Sequence, residues 1–338
     1  MTGERREVPV FQSVRFRRER EASWLELEAL VEQAGAHGIA SLTAEQLEAF
    51  PLLHRAVLSS LSVARAIALD RALVEYLDSL AIRSFLAFYA PPVDRLEAVR
   101  RFVAEGFPRA VRALRVHVAI ALLALIVGIV SGFVLVNGDE HRWFSALVPA
   151  DLAGDRGPAS SRAELLQGEL FAPVPENVLG GIANVLFSHN TLVALLAFGL
   201  GMLAGIPAIL LTVYQGLVLG AFIALHAHRG LTYEFAGWIG IHGVTELLAL
   251  ALFAAAGLRL GEILVFPSAL SRPDALALHG PLAGKVAAGG VAMLAIAAVL
   301  EGYFRAAVAS TDARLAIAVT SLLAWTAYFV FSGRRGAQ

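Results

Sequence analysis

The chain has 338 residues, 57% hydrophobic and only 16% charged, with a mean hydropathy of +0.68. A soluble domain carries about 25% charged residues, so this composition excludes a wholly soluble protein. A net charge of −1 gives no sign of a nucleic-acid partner, and the absence of cysteine excludes disulfides and thiolate sites.

The charges are unevenly spread. Sixteen of the 27 basic residues, all arginines, and fifteen of the 28 acids lie in residues 1–115. A charged N-terminal region therefore joins an apolar remainder near Val116. The first 21 residues lack the apolar core of a signal peptide, so the internal spans are expected to direct membrane insertion.

Residues 1–115 read as a cytosolic amphipathic helical region. Thr43-Ala44-Glu45-Gln46 has the form of a capping box. From Leu52 to Tyr89 no proline or glycine interrupts the chain, and Leu58, Leu61, Ala64, Ala68, Val74 and Leu77 recur at helical spacing. Pro91-Pro92 ends the run. A second amphipathic segment, 93–103, leads through Gly106-Phe107-Pro108 towards the first span. Packing as a helical bundle is the plain expectation for this region. A helix lying on the membrane over 93–115 is the alternative, with its arginines meeting anionic headgroups.

Residues 116–338 read as a transmembrane helical domain, because a span needs about 20 mostly apolar residues. Six are expected, near 116–136, 191–206, 208–227, 235–256, 284–304 and 314–332. The 191–227 stretch is split at Gly205-Ile206-Pro207, where proline removes a backbone donor, with a re-entrant pair as the alternative. The fold class is thus all-α: a polytopic helical membrane protein preceded by a peripheral helical region. Arg109, Arg112 and Arg115 before the first span, and Arg334 and Arg335 after the last, predict both termini in the cytoplasm. Residues 137–190 then form an external loop, whose seven acids and three arginines fit that side. Arg259, Arg272 and Lys285 fall in a 257–285 connection placed inside.

Glycines four apart, Gly128/Gly132, Gly201/Gly205 and Gly216/Gly220, let helix backbones approach closely. They are expected to pack helices within the chain, with homo-oligomer contacts as the alternative. Polar residues inside spans are costlier, about 2.5–3.5 kcal/mol for an ionisable group near the bilayer centre. His242 and Glu246 share a helix face one turn apart. Ser188-His189-Asn190 is placed at the outer entry of the second span, Glu301 near one end of the fifth, and Gln215 in the third. Three roles compete for this intramembrane polar cluster. It locks helices together by mutual hydrogen bonds, relays protons or ions through His242, Glu246 and Glu301, or binds metal with help from His189, His226 or His228. The zincin pattern His-Glu-x-x-His is absent, so the metal is left unknown. No nucleophile with a positioned base and no phosphate-binding loop is visible.

The runs Phe187-Ser188-His189-Asn190, Tyr214 to Gly220, His242-Gly243-Val244-Thr245-Glu246-Leu247, Ala255 to Gly261 and Glu301-Gly302 together resemble the stage II sporulation protein M family, formerly DUF95, in its longer bacterial form. His189 stands where that family often has asparagine. The resemblance covers about residues 185–305. It implies a multi-pass protein of the cytoplasmic (inner) membrane that has no enzymatic activity or cofactor and acts as a scaffold or assembly factor for protein partners. In spore formers the name-giving member anchors peptidoglycan-remodelling partners during engulfment. The alternatives are a transporter or channel component, and an intramembrane metal-dependent enzyme.

Overall fold

A computed structural model describes residues 9–66, 71–89, 95–171 and 175–334, which form helices and no strands. The chain divides into two compact units, 1–97 and 98–338. The division falls ahead of the composition change near Val116, because the arginine-rich residues after 97 pack with the apolar helices.

The first unit holds α1 (Pro9–His37), α2 (Ala44–Ala66) and α3 (Arg71–Tyr89). Gly38, at φ +81°, turns the chain out of α1. The Thr43 box then starts α2, with Gln46 N–H donating to Thr43 Oγ1 and Thr43 N–H to Gln46 Oε1. The expected run from 52 to 89 is two helices, α2 ending at Ala66 and α3 beginning at Arg71; Ala68 and Pro91-Pro92 lie outside the described residues. Trp24, Leu27, Phe50, Val57, Leu61, Ala64, Leu77 and Leu80 form one core. Leu58, by contrast, is 44% exposed. Trp24 Nε1 donates to Ser60 Oγ at 3.1 Å, so burying the indole leaves no orphan donor.

Glu28 links α1 to α3 by accepting from Tyr76 Oη at 2.9 Å and Arg83 Nη2 at 2.6 Å. The Arg83 hydrogen bond, outweighing burial, holds the Glu28 carboxyl below its usual range, while burial and then Glu28 push Tyr76 up to about 12. A depressed folded-state carboxylate stabilises above the unfolded value, about pH 4.3, and that stability fades as pH falls through the folded value. Acidification to pH 3 should therefore weaken the α1–α3 contact in the parent and change little in Glu28→Gln. Amide hydrogen exchange in α3 across the two pH values reads this.

The division falls within α4 (Arg95–Arg101), and the second unit continues with a π turn (Phe102–Gly106) and α5 (Phe107–Ala113). Next comes the first long helix, α6 (Arg115–Gly138), followed by α7 (Glu140–Leu147), α8 (Ala150–Ala153), α9 (Arg162–Leu165) and a π turn (Leu166–Leu170). Five further long helices follow: α10 (Leu179–Gly201), α11 (Ile206–His228), α12 (Thr232–Val265), α13 (Arg272–Val299, continued by a π turn, Leu300–Phe304) and, after short α14 (Arg305–Ala307), α15 (Thr311–Phe331). Six of these are long and apolar enough to cross a membrane.

α5 does not lie free for headgroups. Phe107, Ala110, Val111 and Leu114 are buried in the same cluster as α12 and α13. Arg109 and Arg112 donate to the carbonyls of Gly333 and Phe329. Orphan carbonyls at the end of α15 thus receive cations, which also suits the helix dipole.

The glycines act where helices cross. A Cβ on Gly132 would stand 2.2 Å from the Leu217 carbonyl oxygen, and one on Gly216 2.4 Å from that of Leu125. Gly128 and Gly220 meet the facing backbone in the same way, so α6 and α11 touch main chain to main chain. Gly201 meets Gly257 where α10 crosses α12. The α10–α11 turn uses Ala204 and Gly205 at positive φ, with Pro207 in the first turn of α11. Each of the two helices has 23 residues, about 34 Å of rise, so each is long enough to cross a membrane by itself.

Three boundaries differ from expectation. α10 begins at Leu179, not 191, so His189 and Asn190 sit mid-helix and the loop ends near 178. Arg259 lies within α12, while Arg272 and Lys285 belong to α13, which starts well before 284. For α10 the cause is its polar stripe: a helix that turns polar residues towards a cavity looks too polar to span when hydropathy is averaged around it. At the start of α13 the polar residues Arg272, Asp274, His279 and Lys285 are exposed instead.

Candidate functional site

The residues between α6 and α10 fold over the ends of the long helices. Asp139 caps α7, and Ser161 with Glu164 forms a capping box on α9. Arg229, in the α11–α12 turn, binds Glu140 and the carbonyls of Pro158 and Ser160. Arg162 returns the tie, donating to the carbonyls of Arg229 and Gly230. Phe144 meets Phe222 edge to face, with the Arg156 guanidinium on the same ring at 4.5 Å.

Beneath this cover lies a cavity of about 1250 Å³. Each of three helices lines it with one face: α10 with Leu186, His189, Asn190 and Val193; α11 with Gln215, Val218, Leu219 and Phe222; α12 from Phe235 through Trp238, His242 and Glu246 to Leu250. These spacings of three and four are one stripe of an α-helix. Leu294, Glu301 and Arg305 complete the wall, and residues 151–168 form the roof. All six polar residues singled out in the spans therefore line one chamber.

Three of them converge. His242, Glu246 and Glu301 present ligand atoms within 4.8 Å of one another. His242 is 3% exposed and Glu301 9% as side chains, and His242 Nε2 stands 3.8 Å from Glu301 Oε1. That separation is too long for a hydrogen bond. His242 Nδ1 and Trp238 Nε1 are buried with no hydrogen-bond partner. Glu246 makes no hydrogen bond or ion pair among the described residues.

Glu301 and Gly302 belong to the π turn that ends α13. The extra residue in that turn rotates Glu301 inward, and such bulges recur at functional sites. Gly302 permits the geometry, since a Cβ there would lie 2.7 Å from that of Ala183 on α10. His226 and His228 are not part of the cluster: His226 bonds the Phe222 carbonyl and stacks on Phe235, and His228 pairs with Glu140 and Asn137.

The model of the stage II sporulation protein M family matches residues 119–304, more than half of the chain. The chain belongs to the stage II sporulation protein M family. Residues 14–90 also match a domain of unknown function, DUF8413. No curated protein and no solved structure matches. The match to the stage II sporulation protein M family runs from α6 to the π turn, so it includes all three converging residues and leaves out α15.

Two arginines in this region give no signal in the sequence. Arg305, one turn after Glu301, lays its guanidinium over Trp238 at 5.4 Å. Arg314 is 3% exposed and donates to the carbonyls of Leu170, Arg305 and Val308, with Phe171 under its guanidinium at 4.7 Å. It joins the roof, the end of α13 and the start of α15. A single arginine at a span end reads as a topology signal, and its three acceptors come from two other segments of the chain.

Proposed function

We propose that this member of the family is a non-enzymatic protein of the cytoplasmic membrane, with both termini inside, that receives a small polar ligand in its loop-side chamber and holds protein partners. The observation that carries the ligand-binding part is the set of ionisable groups at the deep end of the chamber, which do not hydrogen-bond to one another. A cluster serving only to lock helices would satisfy its buried polar atoms mutually. Counting about 1.5 Å per residue, Glu246 sits roughly 21 Å along α12 from Thr232, so the chamber reaches deep between the helices.

A conduit through the membrane is less well supported. From Leu247 to Leu258 α12 carries no polar side chain, and Ala249–Gly257 are all buried. Below the chamber α12 is thus packed with apolar side chains, alanines with Leu252 and Phe253 among them.

The partner-holding part rests on a different observation. The first unit has a core of its own, yet α3 carries Ile82 and Leu86 outward, each 56% exposed. Both are large apolar side chains on a charged helix, suited to a protein surface.

The absence of cysteine makes a direct test available. Gln215→Cys in the membrane should react with a small impermeant thiol reagent added from the loop side and resist it from the other side. Asp151→Cys, exposed in the roof, serves as the reference and should react from outside the cell. If Asp151→Cys reacts and Gln215→Cys does not, the chamber is closed to water and the ligand-binding reading is wrong. For the second part, Ile82→Glu with Leu86→Glu should abolish recovery of cross-linked partners at unchanged abundance. Unchanged recovery would reject that surface.

A further inference from the structure

We infer that His242, Glu246 and Glu301 bind one divalent transition-metal ion of the zinc class. The inference rests on the chamber being a ligand site and names what its deep end takes.

Donor chemistry comes first. One imidazole and two carboxylates, with no thiolate anywhere in the chain, form a mixed nitrogen–oxygen set that suits zinc, manganese or ferrous iron. Magnesium and calcium prefer all-oxygen shells. Charge agrees, since two carboxylates and a neutral imidazole carry two negative charges that one divalent ion cancels. Arg305 lines the same chamber and acts on Glu301 through space, but its guanidinium lies over Trp238 and forms no ion pair with Glu301 among the described residues.

Geometry fits as well. Metal–ligand distances of about 2.0–2.2 Å place tetrahedral donors about 3.4 Å apart. The observed 3.8 Å between His242 and Glu301, and the 4.8 Å limit for the whole set, close to that spacing by small side-chain rotations. His242 and Glu246 are fixed by one helix at i and i+4, and the π turn brings Glu301 across from α13. The second sign of a missing ligand is that His242 Nε2 and Glu301 Oε1, on side chains each more than nine-tenths buried, face one another at 3.8 Å without a hydrogen bond. Three protein ligands facing the chamber leave a coordination position for water or a further ligand.

The test uses the full-length protein in nanodiscs, stripped of metal and titrated with zinc chloride alone against a magnesium excess. One zinc per chain should bind at micromolar concentration or below and raise the melting temperature. Glu246→Gln and Glu301→Gln, isosteric with the parent, should each weaken zinc at least a hundredfold, while His141→Gln, exposed on α7, should not. Equal zinc affinity in all four proteins would overturn the site, as would no binding by the parent. Should the glutamine variants fail to fold, the parent's zinc-specific melting shift decides, and its absence rejects the inference. Labelling of Gln215→Cys needs no metal. A reactive chamber that binds no zinc therefore ends this inference and leaves the proposed function standing.

Discussion

Gly201→Ala should lower the melting temperature of the purified protein by about 5–10 °C, whereas Gly199→Ala, two residues away, should leave it within about 2 °C. A Cβ on Gly201 would stand 2.2 Å from the carbonyl carbon of Gly257 and 2.5 Å from its oxygen, with nothing flexible to yield. α10 and α12 would have to part along their crossing, and overpacking of this kind costs about 2–3 kcal/mol, which in a unit of this size corresponds to the stated shift. Gly199 meets nothing within 4 Å, so alanine there only adds helix propensity. Thermal unfolding followed by size-exclusion fluorescence separates the two. Equal melting temperatures would mean that α10 and α12 do not cross at Gly201. Because α10 brings His189 and Asn190 to the chamber, the Gly201 variant should also blunt labelling inside it.

Arg314→Leu should destabilise the second unit by about 3 kcal/mol and free the roof. The guanidinium serves three carbonyls in a buried position, and removing it strands all three acceptors in a place water reaches poorly. Arg314→Lys should fall in between, because an ammonium keeps the charge but not the planar fork that reaches divergent acceptors. Leu170 ties the roof to Arg314, so its release should loosen the segment that carries Arg156 and Arg162, which the folded roof holds against Phe222 and the α11–α12 turn. Faster trypsin cleavage at those two arginines, with the parent resistant, is the readout. Unchanged cleavage would mean that the roof is held by Arg229 and Arg162 alone.

Several features were readable before any fold was known, for identifiable reasons. A bilayer penalises polar atoms so heavily that apolar length alone marks spans, which is why six could be expected and the described residues hold six helices long and apolar enough to cross. Local chemistry was equally legible: the Thr43–Gln46 box closes as its residue types require, and Gly205-Ile206-Pro207 ends one helix and starts the next. The family could be named from the His242–Glu246 element and the Glu301-Gly302 pair, and the match over 119–304 includes both. What misled was averaging. The polar start of α10 lowered its hydropathy, so the helix was read a dozen residues short and His189 and Asn190 were set at its mouth rather than on a wall.

From its own residues the sequence determined a membrane-embedded helical protein with a charged leading unit, glycine-faced helices and a few ionisable groups too costly to be incidental. Composition and spacing suffice for that, because they act residue by residue or turn by turn. Only the tertiary structure decided that those groups meet. Which helix crosses which depends on backbone contacts between residues far apart in the chain, Gly132 on Leu217 and Gly201 on Gly257. Those crossings bring one stripe from each of α10, α11 and α12 around a common chamber. The π turn adds Glu301 from α13, and Arg314 and Arg229 close the roof over it.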